Sequence, residues 1–198
     1  MGVARTPATD GLFDIRDKPV VTEDRIVKFH FLVAKILYLA KRTKPECLTA
    51  ISFLTTRVTK CTQDDEEKLE RLVKYIRHTK DRGIVLAPGK MGIRIRMFID
   101  AAYGVHQDRT SHTGSCVVIG DRGAVHCRSS NQSSMSKSST EAELIALSGS
   151  ANQALYLRCF LIDQGYEMNP VVFYQDNTST MALMARGKPG ADNCRPDT

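Results

Sequence analysis

Apolar residues recur at three- and four-residue steps from Phe29 to Ile76 and at every second position from Ile93 to Ile99. A 3.6-residue period writes a stripe along a helix, whereas a two-residue period writes one face of a strand. The folding rule therefore changes near Gly83, where a helical segment must give way to a sheet. Before the switch, Phe29, Leu32, Val33, Ile36 and Ala40 predict a helix starting near Glu23. Pro45 suits the first turn of a second helix, continued by Leu48, Ile51, Leu54 and Val58. A third is expected from Thr62, with Leu69, Leu72, Val73 and Ile76 as its apolar face. Asp64, Asp65, Glu66 and Glu67 complement the positive end of that helix, and Lys80, Arg82 and Gly83 mark its stop. Residues 1–22 have no period and contain Pro7, Gly11 and Pro19, so they are expected to form a poorly ordered leader.

Beyond the switch, Ile84-Val85-Leu86 reads as a short strand, and Pro88-Gly89-Lys90 with Gly92 as a turn. The alternation from Ile93 to Ile99 makes a strand ending in Asp100. Cys116–Ile119 and Ala124–Arg128 flank Gly120-Asp121-Arg122-Gly123 as a hairpin, and a serine-rich loop follows over 129–139. A long helix is expected from Ser139 to Gln164, stopped by Gly165, with an apolar stripe through Leu144, Leu147, Ala151, Leu155 and Ile162. Val171–Tyr174 gives a further strand, Asn177–Ala185 a short helix, and Gly187–Thr198 an unstructured tail. Hairpins followed by a helical crossover imply a mixed sheet whose last strand runs parallel to the Asp100 strand. With those two strands adjacent, the chain reverses direction between them, and open α/β sheets bind ligands at such a point. The expected organisation is a leader (1–22), a helical segment (23–82) packed beside an α/β domain (83–186), and the tail (187–198).

Lys and Arg outnumber Asp and Glu by 28 to 22, a net charge of +6 that permits a polyanionic partner without requiring one. The six cysteines are scattered, with no Cys-x-x-Cys pair, and read as reduced thiols of an intracellular protein rather than disulfides or a zinc site. The apolar run from Phe29 to Ala40 is too short to span a bilayer and is broken by Lys35.

Three acidic positions stand out: Asp100 at a strand end, Glu141 or Glu143 in the first turns of the long helix, and Asp176 after the last strand. Carboxylates so placed can meet around metal ions at one end of a sheet. Each also has a plain structural reading. Asp100 can end a strand in a turn, Asp176-Asn177 precedes a helix as a cap does, and Thr140 with Glu143 fits a capping box. Glu141 and Glu143 lie near opposite margins of the apolar stripe, so helical angle does not choose between them.

Ser138-Ser139-Thr140-Glu141-Ala142-Glu143-Leu144-Ile145-Ala146-Leu147 resembles, nearly letter for letter, the ribonuclease H helix motif in the Pol polyprotein of copia-type LTR retrotransposons. Ala154-Leu155-Tyr156-Leu157-Arg158 resembles its continuation, and Phe98-Ile99-Asp100-Ala101 and Tyr174-Gln175-Asp176-Asn177 resemble the first and third acidic motifs, in the same order. Phe31 to Ala40 and Leu69 to Ile76 are similar to the helical segment after the reverse-transcriptase core, so the resemblance covers about residues 24–190. It implies an α/β, ribonuclease H-like mixed sheet preceded by a helical segment. The implied activity is cleavage of the RNA strand of RNA–DNA hybrids with two Mg2+ ions, Mn2+ serving as substitute. Asp100, Glu143 and Asp176 would be the catalytic and metal-holding residues, with Asp100 bridging the ions; hard oxygen ligands suit magnesium. The motif implies Glu143 rather than Glu141, so Asp100, Glu143 and Asp176 are expected to converge while Glu141 points away. Arg128, Lys137, Arg186 and Lys188 are candidates for holding phosphates. The implied partners are the hybrid and the rest of the Pol polyprotein, including reverse transcriptase, with no membrane and no small-molecule cofactor. The implied location is a cytoplasmic particle or the nucleus. The family's domain continues to a fifth strand and a fourth acid that find no match here; Asp192 and Asp197 do not fit that motif. The paired aspartates of the polymerase are absent too. Weak, salt-dependent hybrid binding with slow cleavage is therefore expected. The alternative is a catalytically inactive remnant that binds nucleic acid or acts as a scaffold.

Overall fold

The computed structural model describes residues 2–87 and 92–186. Its first half is the expected helical unit: α1 (Glu23–Arg42), a 3-10 turn at Pro45–Cys47 leading into α2 (Leu48–Thr55), and α3 (Gln63–His78). The stripes read from the sequence meet in one core, in which Val33, Ile51, Leu54 and Leu72 are buried, although Leu32 and Val73 stay exposed. Thr62 starts α3 through a capping box with Asp65, whose carboxylate accepts the Thr62 N–H at 2.9 Å. That carboxylate is fully buried and also takes Arg57 Nε at 3.0 Å. Asp65 is thus more than a dipole complement, because it ties the end of α2 to the start of α3.

The leader does not behave as a loose segment. It has almost no regular secondary structure, but Ala4, Leu12 and Val21 are buried in the helical core. Polar contacts fix the chain between them: Lys18 pairs with Glu67 at 2.6 Å, Arg71 donates to Thr6 Oγ1 at 2.8 Å, and Lys68 donates to the Asp14 carbonyl. Val20 and Thr62 form a single antiparallel bridge. Periodicity could not announce this, because a segment held by a few widely spaced apolar anchors carries no repeat. Phe13 reaches further, stacking edge-on against Phe53 and His106 and tilting over His112. The leader, the helical unit and the sheet thus share one contact.

His112 is the centre of that contact. Its Nδ1 meets His106 Nε2 at 3.0 Å and its Nε2 meets Ser129 Oγ at 2.7 Å, while Ser129 Oγ lies 3.3 Å from Thr49 Oγ1 on α2. Burial, with a lesser contribution from His106, pulls the His112 pKa down to about 4. Between that value and the ordinary imidazole value of 6.5 the unfolded chain binds a proton that the folded chain does not. Stability from this group is therefore complete above that window and is lost as the pH falls through it. The expected result is easier urea unfolding at pH 5 than at pH 7, with the difference reduced in His112→Gln. An equal pH slope in the variant would refute the assignment.

The second half is a mixed sheet of order β3-β2-β1-β4, with β1 (Ile95–Ala102), β2 (His112–Ile119), β3 (Ala124–Asn131) and β4 (Val172–Tyr174). β1 pairs antiparallel with β2 and parallel with β4, as the crossover required. α4 (Ser139–Asp163) and α5 (Thr178–Arg186) complete the domain. Gly165, at φ +86°, gives the left-handed residue that closes α4. Ile84–Leu86 do not form the expected strand. The segment makes a single antiparallel bridge, from Ala87 to Arg122 in the β2–β3 turn, too little pairing to set a strand. Gly123 has φ +75°, and a Cβ there would collide with the Val85 carbonyl, so the close approach depends on glycine. The expected turn at Pro88–Lys90 and the tail from Gly187 lie outside the described residues.

The face of α4 turned to the sheet is not the leucine stripe. Ala142, Ala146 and Ala154 bury against Ile95, Met97, Ile99 and Ala101 of β1, while Leu155 and Ile162 are 45% and 41% exposed. Small side chains let the helix lie close over the sheet, and a hydropathy count undervalues alanine. Leu147, Leu157 and Leu161 pack at the margin of that core, and Leu144, Leu147 and Leu155 line a second apolar groove of about 650 Å3 with Met181 and Met184 of α5.

Candidate metal centre

Register places the site. The residues of β1 alternate between α4 and the opposite face, so Phe98 and Asp100 share that second face with Gly114 and Cys116 of β2, their direct partners. Cys127 and Ser129 of β3, and Tyr174 of β4, continue the same face. The helical unit covers only its β3 side. What remains open is a groove of about 680 Å3, walled by Pro45, Leu48 and Thr49 and floored by the sheet. Phe98 and Tyr174 stack in that floor, with centroids 4.6 Å apart and planes 10° from parallel.

At the mouth of the groove Asp100, Glu143 and Asp176 converge, each offering a carboxylate oxygen within 4.8 Å of the others. Asp100 and Asp176 are exposed and Glu143 is buried. β4 ends at Tyr174, leaving the Ala101 N–H beyond its reach, and Glu143 Oε1 accepts it at 3.2 Å. Glu143 Oε2 accepts Gln175 Nε2 at 3.0 Å. Two donors, one on β1 and one just past the end of β4, thus fix the carboxylate of a helix residue. Burial raises the Glu143 pKa above the ordinary range, and Asp100 and Asp176 push it the same way, against the two hydrogen bonds.

The structural alternatives to a metal role are taken by neighbouring residues. Ser138, not Thr140, caps α4, accepting the Glu141 N–H at 3.2 Å. Glu141 turns back to accept the Lys137 N–H at 2.6 Å, so it points away from the centre as expected. Asn177, not Asp176, caps α5, its Oδ1 accepting the Thr180 N–H at 2.9 Å. β1 runs on to Ala102, so Asp100 does not end its strand in a turn. Glu143, Asp176 and Asp100 are therefore released from capping and turn duty.

The donor set fits divalent cations. Three carboxylates this close repel one another, and among the described residues no lysine or arginine forms an ion pair with any of them. Hard oxygen donors with one buried, pre-aimed member match magnesium or manganese.

The expected phosphate contacts are less concentrated. Arg128 lines the groove at its β3 end, although it also donates to Ser130 Oγ and to the Gly149 carbonyl of α4, each at 3.2 Å. Lys137 is exposed before α4, and Arg186 is exposed at the end of α5. Lys188 lies outside the described residues. Gln175 and the Phe98–Tyr174 stack were not singled out from sequence, although all three sit within the quoted strand motifs. Their importance rests on cross-strand register, which a single strand does not display.

The chain is similar to retrovirus-related Pol polyproteins. It is 28% identical over 160 residues to that of transposon RE2 of Arabidopsis thaliana, covering 80% of this chain and 11% of the relative. It is 26% identical over 160 residues to that of transposon RE1 of the same plant, again covering 80% of this chain and 11% of the relative. Identity to that of transposon TNT 1-94 of Nicotiana tabacum is 25% over 158 residues, covering 79% of this chain and 12% of the relative. The chain thus spans about a tenth of the length of these curated relatives. No family model and no solved structure matches it. Among the described residues no helix is long and apolar enough to cross a membrane.

Proposed function

We propose that this chain performs ribonuclease H-type hydrolysis of the RNA strand of RNA–DNA hybrids, as part of a retrotransposon Pol polyprotein. The observation that carries the reading is the convergence of Asp100, Glu143 and Asp176 within 4.8 Å at the mouth of an open groove. The similarity to Pol polyproteins supports it. Residues 83–186 are the ribonuclease H-like domain, and residues 23–82 the segment that follows the reverse-transcriptase core. The setting is a cytoplasmic particle or the nucleus.

In this reading the three carboxylates hold two Mg2+ ions, or Mn2+ in their place. Cations bound there supply the charge that activates a water and steadies the leaving oxygen. Glu143 contributes a carboxylate whose position is set beforehand by Ala101 and Gln175. Asp100 and Asp176 face solvent and are open to ligands. The Phe98–Tyr174 stack offers a flat surface to sugars or bases, and Arg128, Lys137, Arg186 and Lys188 offer charge to phosphates. Selection of the RNA strand rests on its 2′-hydroxyls.

A second reading, a remnant that binds nucleic acid without cutting it, draws on there being three acids rather than four in the cluster among the described residues. The deciding assay uses the full chain with a hybrid labelled on its RNA strand, in Mg2+ or Mn2+, over a salt series. Slow cleavage, below about one event per second, restricted to the RNA strand, is the expected result. Salt-sensitive binding with the RNA intact selects the remnant. Neither binding nor cleavage at low salt removes both readings.

A further inference from the structure

The groove floor carries a second reactive group that the proposed chemistry does not use. Cys116 of β2 and Cys127 of β3 are direct antiparallel partners, and their sulfurs are 3.5 Å apart. Both are half-buried and line the groove. Antiparallel partners have Cα atoms about 4.5–5.5 Å apart, inside the roughly 4.4–6.8 Å that a disulfide spans. Bond formation therefore needs only side-chain rotation, with no movement of the strands. The other described cysteines differ. Cys47 and Cys61 are fully buried, and burial pushes both thiols up to about 12. Cys159 is exposed on α4, and it has no cysteine partner among the described residues.

We infer that Cys116 and Cys127 form a dithiol site that exchanges with small-molecule disulfides to close a reversible β2–β3 cross-link in the groove floor. The Cys127 thiol donates to the Cys116 sulfur, and this hydrogen bond brings the Cys116 thiol down to about 7 against the opposing effect of burial. Cys116, as thiolate, attacks one sulfur of the small disulfide, forming a mixed disulfide and releasing one thiolate. Cys127 then loses its proton and attacks Cys116, releasing the second. Two protein S–H bonds are lost and one S–S bond forms; the small disulfide is reduced to two thiols, which take up the two protons. Cys116 is also the cross-strand partner of Phe98, two positions from Asp100 on β1. The cross-link therefore forms on the face that bears the carboxylates. Its formation does not rest on the proposed function.

The test incubates the full chain with oxidised glutathione, blocks remaining thiols, and maps peptides by mass spectrometry without reduction. A Cys159→Ser, Cys194→Ser background removes the competing sites. The expected product is a single Cys116–Cys127 linked species with two fewer free thiols, restored by dithiothreitol and absent from Cys116→Ser. A stable mixed disulfide on either cysteine without cross-link, or two thiols left free under conditions that modify Cys159 in the unmodified chain, would overturn it. Because this readout needs neither metal nor nucleic acid, its failure leaves the ribonuclease reading untouched, and the converse holds.

Discussion

Asp100→Asn is expected to abolish the response of the protein to divalent cations while leaving its fold intact. On the proposed function, wild-type chain should gain thermal stability in Mg2+ or Mn2+, because a cation held by the folded cluster would find no such site on the unfolded chain. Without metal, that cluster is a source of repulsion. The raised Glu143 pKa means that the folded state holds this proton more tightly than the unfolded chain does. Metal-free stability from this group therefore falls as the pH rises through the folded value, and the gain on adding metal should be larger at pH 7 than at pH 5. Asparagine keeps the shape of Asp100 and removes one of the charges acting on Glu143. The variant should match or exceed wild type in Tm without metal and lose the metal shift. On the proposed function, any hybrid cleavage should fall on the order of 10³-fold or more, the usual loss for a single catalytic group. Melting curves at the two pH values, with and without cation, decide it; an undiminished metal shift in the variant would place the binding site elsewhere.

Asp65→Ala is expected to have the largest effect on stability. The substitution strands the buried Arg57 guanidinium and removes the acceptor that caps α3 at Thr62. Breaking one side of a buried pair costs about 3–5 kcal/mol, a loss in Tm on the order of 10 °C for a chain of this size. Replacing both members, as in Arg57→Met with Asp65→Leu, should recover much of the loss, because no buried charge is then left unpaired. Urea titration of the two single variants and the double variant forms the cycle that separates these contributions. A cost below about 1 kcal/mol for Asp65→Ala would show that water reaches the pair. The consequence extends to function, since Pro45, Leu48 and Thr49 of this helical unit form the wall of the groove beside Asp100.

Much of this was legible without coordinates. The change of period at Gly83 separates helices from sheet, because each backbone geometry imposes its own spacing on apolar residues. The crossover then implies that β4 runs parallel to β1, and the structure sets the two side by side. Those two facts suffice to bring Asp100 and Asp176 to one end of the sheet. Choosing Glu143 over Glu141 needed the motif resemblance, and the structure supplies the physical account: Glu141 is spent at the helix start with Ser138 and Lys137.

Other features depend on contacts between distant segments, which no local pattern encodes. The leader is anchored by Ala4, Leu12 and Val21 at irregular intervals, so its sequence looks like coil although its side chains are core. The buried face of α4 is alanine rather than leucine, since distance to the sheet, not hydropathy, decides which side fits. Asp65 looks like one of four acids at a helix start until Arg57 is seen across the turn. Cys116 and Cys127 are ordinary half-buried thiols eleven positions apart until the β2–β3 register sets their sulfurs 3.5 Å from one another. Sequence alone determined the helices and the four strands of the sheet, their order and the sheet end at which acids gather, because these follow from backbone periodicity and chain connectivity; it did not determine the fate of Ile84–Leu86. Only the tertiary structure decided which side chains are spent on caps and ion pairs and which are left free to act, because hydrogen-bond partners are assigned by proximity in space.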